Sequence, residues 1–223
     1  MKENIMNDPR KAGSLILNNL GMLNEASLLL EVQIEVEVFR NIQEEIEAWL
    51  DESGWHGQGE WDSEYMWVSP ATWKLDNDND NDNDLCKAVF EFDFEKKEPE
   101  GSGDSYSLAY FCGYGQVRVG FRFTPKFEYF GKKKEWTNFC NKSLPAAASG
   151  LQKLGFVYDK GHWFLPVTLS NADLAVAYEG EDYAEALQPV RRALDQLKKV
   201  QPVFDEIIRA AELALNIKDT TPR

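Results

Sequence analysis

Between Asn24 and Leu50, apolar residues recur every third or fourth position, at Leu28, Val32, Val36, Phe39, Ile42, Ile46 and Trp49. That spacing predicts one face of a long amphipathic helix, with a glutamate-rich face opposite. Leu30, Val32, Ile34, Val36 and Val38 also alternate at period two, with β-branched residues that suit a strand. The helical spacing runs on to Trp49 after the alternation has stopped, so a helix is expected. Gly54, Gly57 and Gly59 then end it.

The middle of the chain reads as antiparallel sheet. From Lys87 to Lys96, Phe90, Phe92 and Phe94 alternate with Glu91, Asp93 and Glu95, which buries phenylalanine and exposes acid. Ser105–Cys112 and Gln116–Thr124 are expected to follow as two strands of a hairpin, turning at Gly113-Tyr114-Gly115, where glycine supplies positive φ angles. Trp136, Phe139 and Cys140 suggest a short helix, and Pro145 to Leu154 a second one ending at Gly155. A further hairpin is expected at Asp159-Lys160-Gly161, joining Phe156–Tyr158 to Trp163–Leu169, with Leu174–Tyr178 as its third strand. At the C-terminus, Val190, Leu194 and Leu197 form one helical stripe. Phe204, Ile207, Ile208, Ala211 and Leu215 form another after Pro202, and both Pro189 and Pro202 suit helix starts. The order predicts an α+β fold: a mainly antiparallel sheet of two β-hairpin units, packed by a long N-terminal helix and C-terminal helices. Residues 1–223 read as a single domain carrying a low-complexity acidic loop at 76–84.

Charge sharpens this picture. The 223 residues carry 24 Lys plus Arg and 38 Asp plus Glu, a net of −14 with both histidines neutral. Residues 24–104 hold 23 acids and 5 bases, a net of −18, whereas residues 105–170 hold 3 acids and 9 bases, a net of +6. A strongly negative chain is repelled by nucleic acid unless a basic patch prevails locally. No apolar run approaches the roughly 18 residues that a membrane span needs, and the N-terminus lacks the apolar core of a secretory signal. The expected location is therefore cytoplasmic, with no membrane contact. Cys86, Cys112 and Cys140 form no CxxC pair, so inert thiols are expected.

Several residue patterns carry candidate chemistry. The run Asp76 to Asp84 places aspartate at every second position, and Asp80, Asp82, Asp84 and Glu91 occupy EF-hand positions one, three, five and twelve. Leu85 stands where that loop needs glycine, and Glu91 falls on a strand, so a solvated loop without metal is the expected reading. Asp84 with Glu95-Lys96-Lys97 at a strand end resembles the PD-(D/E)XK nucleases. That resemblance implies Asp84 and Glu95 on a divalent metal and Lys97 beside the attacking water. No proline precedes Asp84, and Glu95 shares a polar strand face with Glu91 and Asp93, which explains the acids without catalysis.

Arg118, Arg122, Lys126, Lys132, Lys133 and Lys134 form a basic cluster interleaved with Phe127, Tyr129, Phe130 and Trp136, the composition of a single-strand nucleic-acid surface. Pairing across the sheet with Glu91, Asp93 and Glu95 is the simpler expectation. Trp49, Trp55, Trp61, Trp67 and Trp73 recur every six residues, and exposed members would offer a partner aromatic contacts. The two histidines, His56 and His162, sit in no nucleophile motif, and no nucleotide-binding loop or cofactor signature is present.

These patterns lead to a non-catalytic protein that binds another macromolecule through an acidic, aromatic-rich surface, as an inhibitor or DNA mimic would. Glu31, Glu35, Glu45, Trp55 and Trp61 are the expected contacts, and a protein with a basic surface is the expected partner. The alternative is the metal-dependent nuclease built on Asp84, Glu95 and Lys97.

Overall fold

A computed structural model of the chain describes residues 8–60, 65–75, 86–95, 106–114, 117–159 and 161–217. The fold is α+β, and the chain divides into two compact units, residues 1–39 and 40–223.

The first unit is helical. Asp8 caps α1 (Pro9–Asn18), its carboxylate accepting from the Arg10 and Lys11 amides, and Pro9 sits where no helical donor is lost. Helix α2 (Leu20–Leu29) follows, then a π-turn (Leu30–Ile34) that leads into α3 (Glu35–Ser53). A π-turn inserts one residue and so rotates every later side chain relative to the earlier ones. The predicted stripe holds only in its second half, and the break falls within α3, between Val36 and Val38. Phe39, Ile42, Ile46 and Trp49 are buried, joined by Val38, whereas Leu28, Val32 and Val36 are exposed. Gly54, at φ 72°, takes the left-handed conformation that ends α3.

The second unit is built on a six-stranded antiparallel sheet in the order β1 (His56–Glu60), β2 (Tyr65–Ser69), β3 (Ala88–Phe94), β4 (Val119–Pro125), β6 (His162–Val167), β5 (Val157–Asp159). The inner face carries Phe90 and Phe123, and helix α8 (Gln188–Ala214) lies against it. Phe204 of α8 stands 5.0 Å from the Phe90 ring and 4.7 Å from the Phe123 ring. Trp73 and Trp55 extend the cluster, at 5.5 and 6.0 Å from Phe90. Burial of such large rings is the main stabilising term in this unit. Residues 40–53 of α3 join α8 through polar contacts. The Trp49 Nε1 donates to Asp195 at 2.9 Å, and Arg191 pairs with both Glu45, at 3.2 Å, and Glu52.

Three predicted strand or hairpin features are replaced. Ser107–Phe111 is a helical turn, α4, and not the first strand of a hairpin at Gly113. Gly113, at φ 76°, ends that helix instead, and β4 pairs with β3 and β6. Leu174–Tyr178 lies within helix α7 (Asn171–Gly180), which Ser170 caps by accepting from the Asp173 amide at 3.2 Å. The two C-terminal stripes belong to one helix, with Pro202 inside α8 and not at a start. After a single helical turn, α5 (Phe127–Phe130), the predicted helix around Trp136 is α6 (Lys133–Ser143), and a 3₁₀ helix spans Ala146–Leu154 and ends at Gly155 (φ 91°). The β5–β6 hairpin forms at the predicted turn, of which Asp159 and Gly161 lie within the described residues. Among the described residues no helix is long and apolar enough to cross a membrane.

Candidate functional site

The outer face of the sheet gathers most of the residues with candidate chemistry. Antiparallel register sets Glu91 opposite Arg122, and Arg122 opposite Phe164. At the strand ends the Arg118 guanidinium meets Glu95 through two bonds, at 2.8 and 2.6 Å, and lies 6.0 Å from the Phe164 ring centre. This fork geometry matches a carboxylate and fixes both side chains. Arg122 pairs with Asp93 at 3.1 Å and also donates to the Phe94 carbonyl. The Thr124 hydroxyl donates to Glu91 at 2.7 Å. The acids and arginines of this face thus neutralise each other across the strands, as the pairing expectation requires.

Beside these pairs lies a cleft of about 240 Å³ lined by Glu95, Arg122, Lys133, Val157, Asp159, His162 and Phe164. His162 is the imidazole within it. Burial pushes its pKa below the ordinary imidazole value, Lys133 and Arg122 push the same way, and Asp159 and Glu91 oppose them. The ring is therefore neutral at pH 7. His56, on β1, is likewise shifted down by burial and by Lys74.

His56 and Cys86 form the one imidazole–thiol contact among the described residues, 3.1 Å between Nε2 and Sγ. A nucleophile pair has this separation, but Cys86 is 1 % exposed and packs with Trp67 and Val89, which leaves a substrate no route to the sulfur. Burial pushes the Cys140 thiol up to about 12, so it stays protonated and unreactive.

Of the nuclease trio, Glu95 is held by Arg118, while Asp84 and Lys97 lie outside the described residues. Of the calcium set, Glu91 accepts from Thr124, and Asp80, Asp82 and Asp84 lie outside them. No group of three or more metal-ligating side chains converges among the described residues. The basic cluster keeps Lys132, Lys133 and Lys134 at the surface, but several of its rings are engaged elsewhere. Phe130 and Trp136 are each 1 % exposed, and the Tyr129 hydroxyl donates to Glu212 at 2.7 Å. Two of the four rings that a single-strand surface would use are thus buried, while Phe127 and Tyr129 are half-buried.

The proposed partner contacts divide in the same way. Trp55 is buried against Trp49 and Phe90, so it offers no ring at the surface, and Trp61 lies outside the described residues. Glu45 is half-buried in its pair with Arg191, and Glu35 is half-buried, whereas Glu31 is exposed. In the first unit Glu25 is exposed as well, and in the second Glu44, Glu47, Asp51 and Glu52 of α3 are exposed. Residues 24–53 hold nine acids and one base, Arg40, a net of −8. Sequence reading missed the apolar component of this region. Ten of the fourteen large apolar side chains exposed among the described residues fall between Leu15 and Val36. The signal was present in the run Leu28-Leu29-Leu30 and in Leu15-Ile16-Leu17, which supply more apolar residues than one buried stripe can hold.

Comparison with known protein families, curated proteins and solved structures finds no match to this chain. The functional reading therefore rests on the chain's own surfaces.

Proposed function

We infer that this chain is a non-catalytic binding protein whose partner presents a basic surface to the exposed acids carried by residues 24–53. The observation that carries the reading is the charge of residues 24–53, nine acids against one base, with Glu25, Glu31, Glu44, Glu47, Asp51 and Glu52 exposed. Arg40, the one base within the segment, lies 3.9 Å from Glu44, and Arg191 of α8 pairs with Glu45 and Glu52, so Glu25, Glu31, Glu47 and Asp51 are the exposed acids that carry the reading. A field of one sign steers diffusional encounter toward a partner of opposite sign and rejects like-charged molecules. The aromatic contribution expected from Trp55 is withdrawn because its ring belongs to the core. Against an enzyme stands the mutual neutralisation of the outer sheet face, where Glu95 and Asp93 hold arginines and so lack the freedom of a metal ligand or general base.

The test is affinity capture from the native host with the full chain and with a charge-reversed variant, Glu25→Lys, Glu31→Lys, Glu44→Lys and Glu47→Lys. The reading expects a partner rich in Lys and Arg that is retained by the former and lost by the latter, with circular dichroism unchanged. A partner retained equally by both overturns it.

A further inference from the structure

We propose that the cleft on the outer face of the sheet binds a free amino acid with an apolar side chain, its carboxylate beside Lys133, its ammonium beside Asp159 and its side chain against Val157 and Phe164. The described residues that line this cleft all belong to the second unit. The proposal goes beyond the binding reading above and does not depend on it.

Most charge on this face is spent internally. Glu95 accepts two bonds from Arg118, and Arg122 is held by Asp93 and the Phe94 carbonyl. Lys133 and Asp159 line the same cleft and are exposed, yet they make no ion pair with each other or with any other described residue. An ammonium and a carboxylate that share one cleft without meeting are the two charges that a ligand can use. Both lie close enough to His162 to act on its charge, in opposite senses, which places them around one imidazole. The His162 Nδ1 is buried with no hydrogen-bond partner among the described residues. No contact therefore fixes its tautomer, and the neutral ring can present either a donor or an acceptor at Nε2.

The charges of the whole neighbourhood select the ligand. Arg118, Arg122 and Lys133 stand against Glu91, Asp93, Glu95 and Asp159, so a phosphate or another net anion meets a surplus of acid. A simple amine finds Asp159 but brings a like charge to Lys133. A zwitterion satisfies both at once. The apolar wall of Val157 and Phe164 then takes up a side chain of the same character. The cleft, at about 240 Å³, is smaller than the roughly 300–1,000 Å³ of sites for drug-sized molecules, which suits a single small metabolite.

The experiment titrates the full chain with leucine, with isoamylamine, which lacks only the carboxylate, and with isocaproate, which lacks only the ammonium. Nuclear magnetic resonance of the His162 imidazole locates the ligand and measures its affinity together. Leucine should shift this ring and saturate below about 10 mM, with both analogues at least tenfold weaker. Lys133→Ala should weaken leucine at least fivefold and leave isoamylamine no weaker, whereas Asp159→Asn should weaken leucine at least fivefold and leave isocaproate no weaker. Lys134→Ala, at an exposed position outside the cleft lining, should change none of the three. Isocaproate or isoamylamine binding as tightly as leucine overturns the proposal in favour of a plain anion or amine site. Leucine that fails to saturate, or that binds both cleft variants as it binds the parent chain, overturns it outright.

Discussion

At the residue scale, the closest constraint on the sheet is Gly120 in β4. A Cβ there would overlap the Leu165 carbonyl oxygen of β6 and sit 2.8 Å from the Pro166 Cα, both backbone atoms that cannot step aside without moving a strand. Gly120→Ala should lower stability by about 2–3 kcal/mol, the size of an overpacking penalty. Gly150→Ala, with nothing within 4 Å of the added carbon, should change it by less than about 0.5 kcal/mol. Urea denaturation of the two variants measures the contrast. The histidines give a second prediction. Both imidazoles have pKa values below the ordinary one in the folded state, chiefly through burial. As pH falls below about 6.5 the unfolded chain takes up these protons first, so their contribution to stability is complete above that pH and is lost on the way down to the folded values. The double variant His56→Gln, His162→Gln should show a shallower loss of stability between about pH 7 and 5 than the parent chain. An unchanged slope would show that carboxylates alone set it. Neither effect was legible in the sequence. Gly120 looked like any strand glycine, and the burial of His162 depends on where β5 and β6 lie.

Elements were legible where a long pattern met a clear stop. The alternation of Phe90, Phe92 and Phe94 gave β3, and Gly54 and Gly155 marked helix ends at positive φ. Short patterns failed. Leu108, Tyr110 and Cys112 alternate as a strand would, but one turn of helix buries the adjacent Tyr110 and Phe111, which no strand face does. Leu174, Val176 and Tyr178 alternate too, yet Leu174 and Ala177 are the buried pair and Val176 is exposed. Ser170 followed by Asp173 was the available helix-start signal there. Pro202 misled for a different reason. Packing of Val200, Phe204 and Ile207 holds α8 together across a residue that supplies no amide donor. Proline costs about 3 kcal/mol relative to alanine within a helix, and it returns about 1 kcal/mol by restricting the unfolded chain. Pro202→Ala, at an exposed position, should therefore stabilise the protein by about 2 kcal/mol, read as a rise in the urea midpoint; a fall would mean that the core requires the local distortion that proline imposes.

At the scale of the whole molecule, charge was fully legible and its meaning was not. Composition alone gave a net of −18 over residues 24–104 and +6 over residues 105–170. The structure uses part of that contrast internally, pairing Arg118 with Glu95 and Arg122 with Asp93. Arg191 takes up Glu45 and Glu52 in the same way, and Glu25, Glu31, Glu47 and Asp51 remain exposed. The candidate contacts were half legible for the same reason: Glu31 is exposed as its helical position implied, whereas Trp55 filled the core because no local pattern distinguishes a core tryptophan from a docking one. On the proposed function, encounter with the partner is driven by these exposed acids. The rate of association between the full chain and its captured partner, followed from about 20 mM to about 500 mM salt, tests it most directly, since the screening length shrinks severalfold over that range. At least a tenfold fall in the association rate is expected, with a much smaller change in the dissociation rate. An association rate unchanged across the series would contradict it.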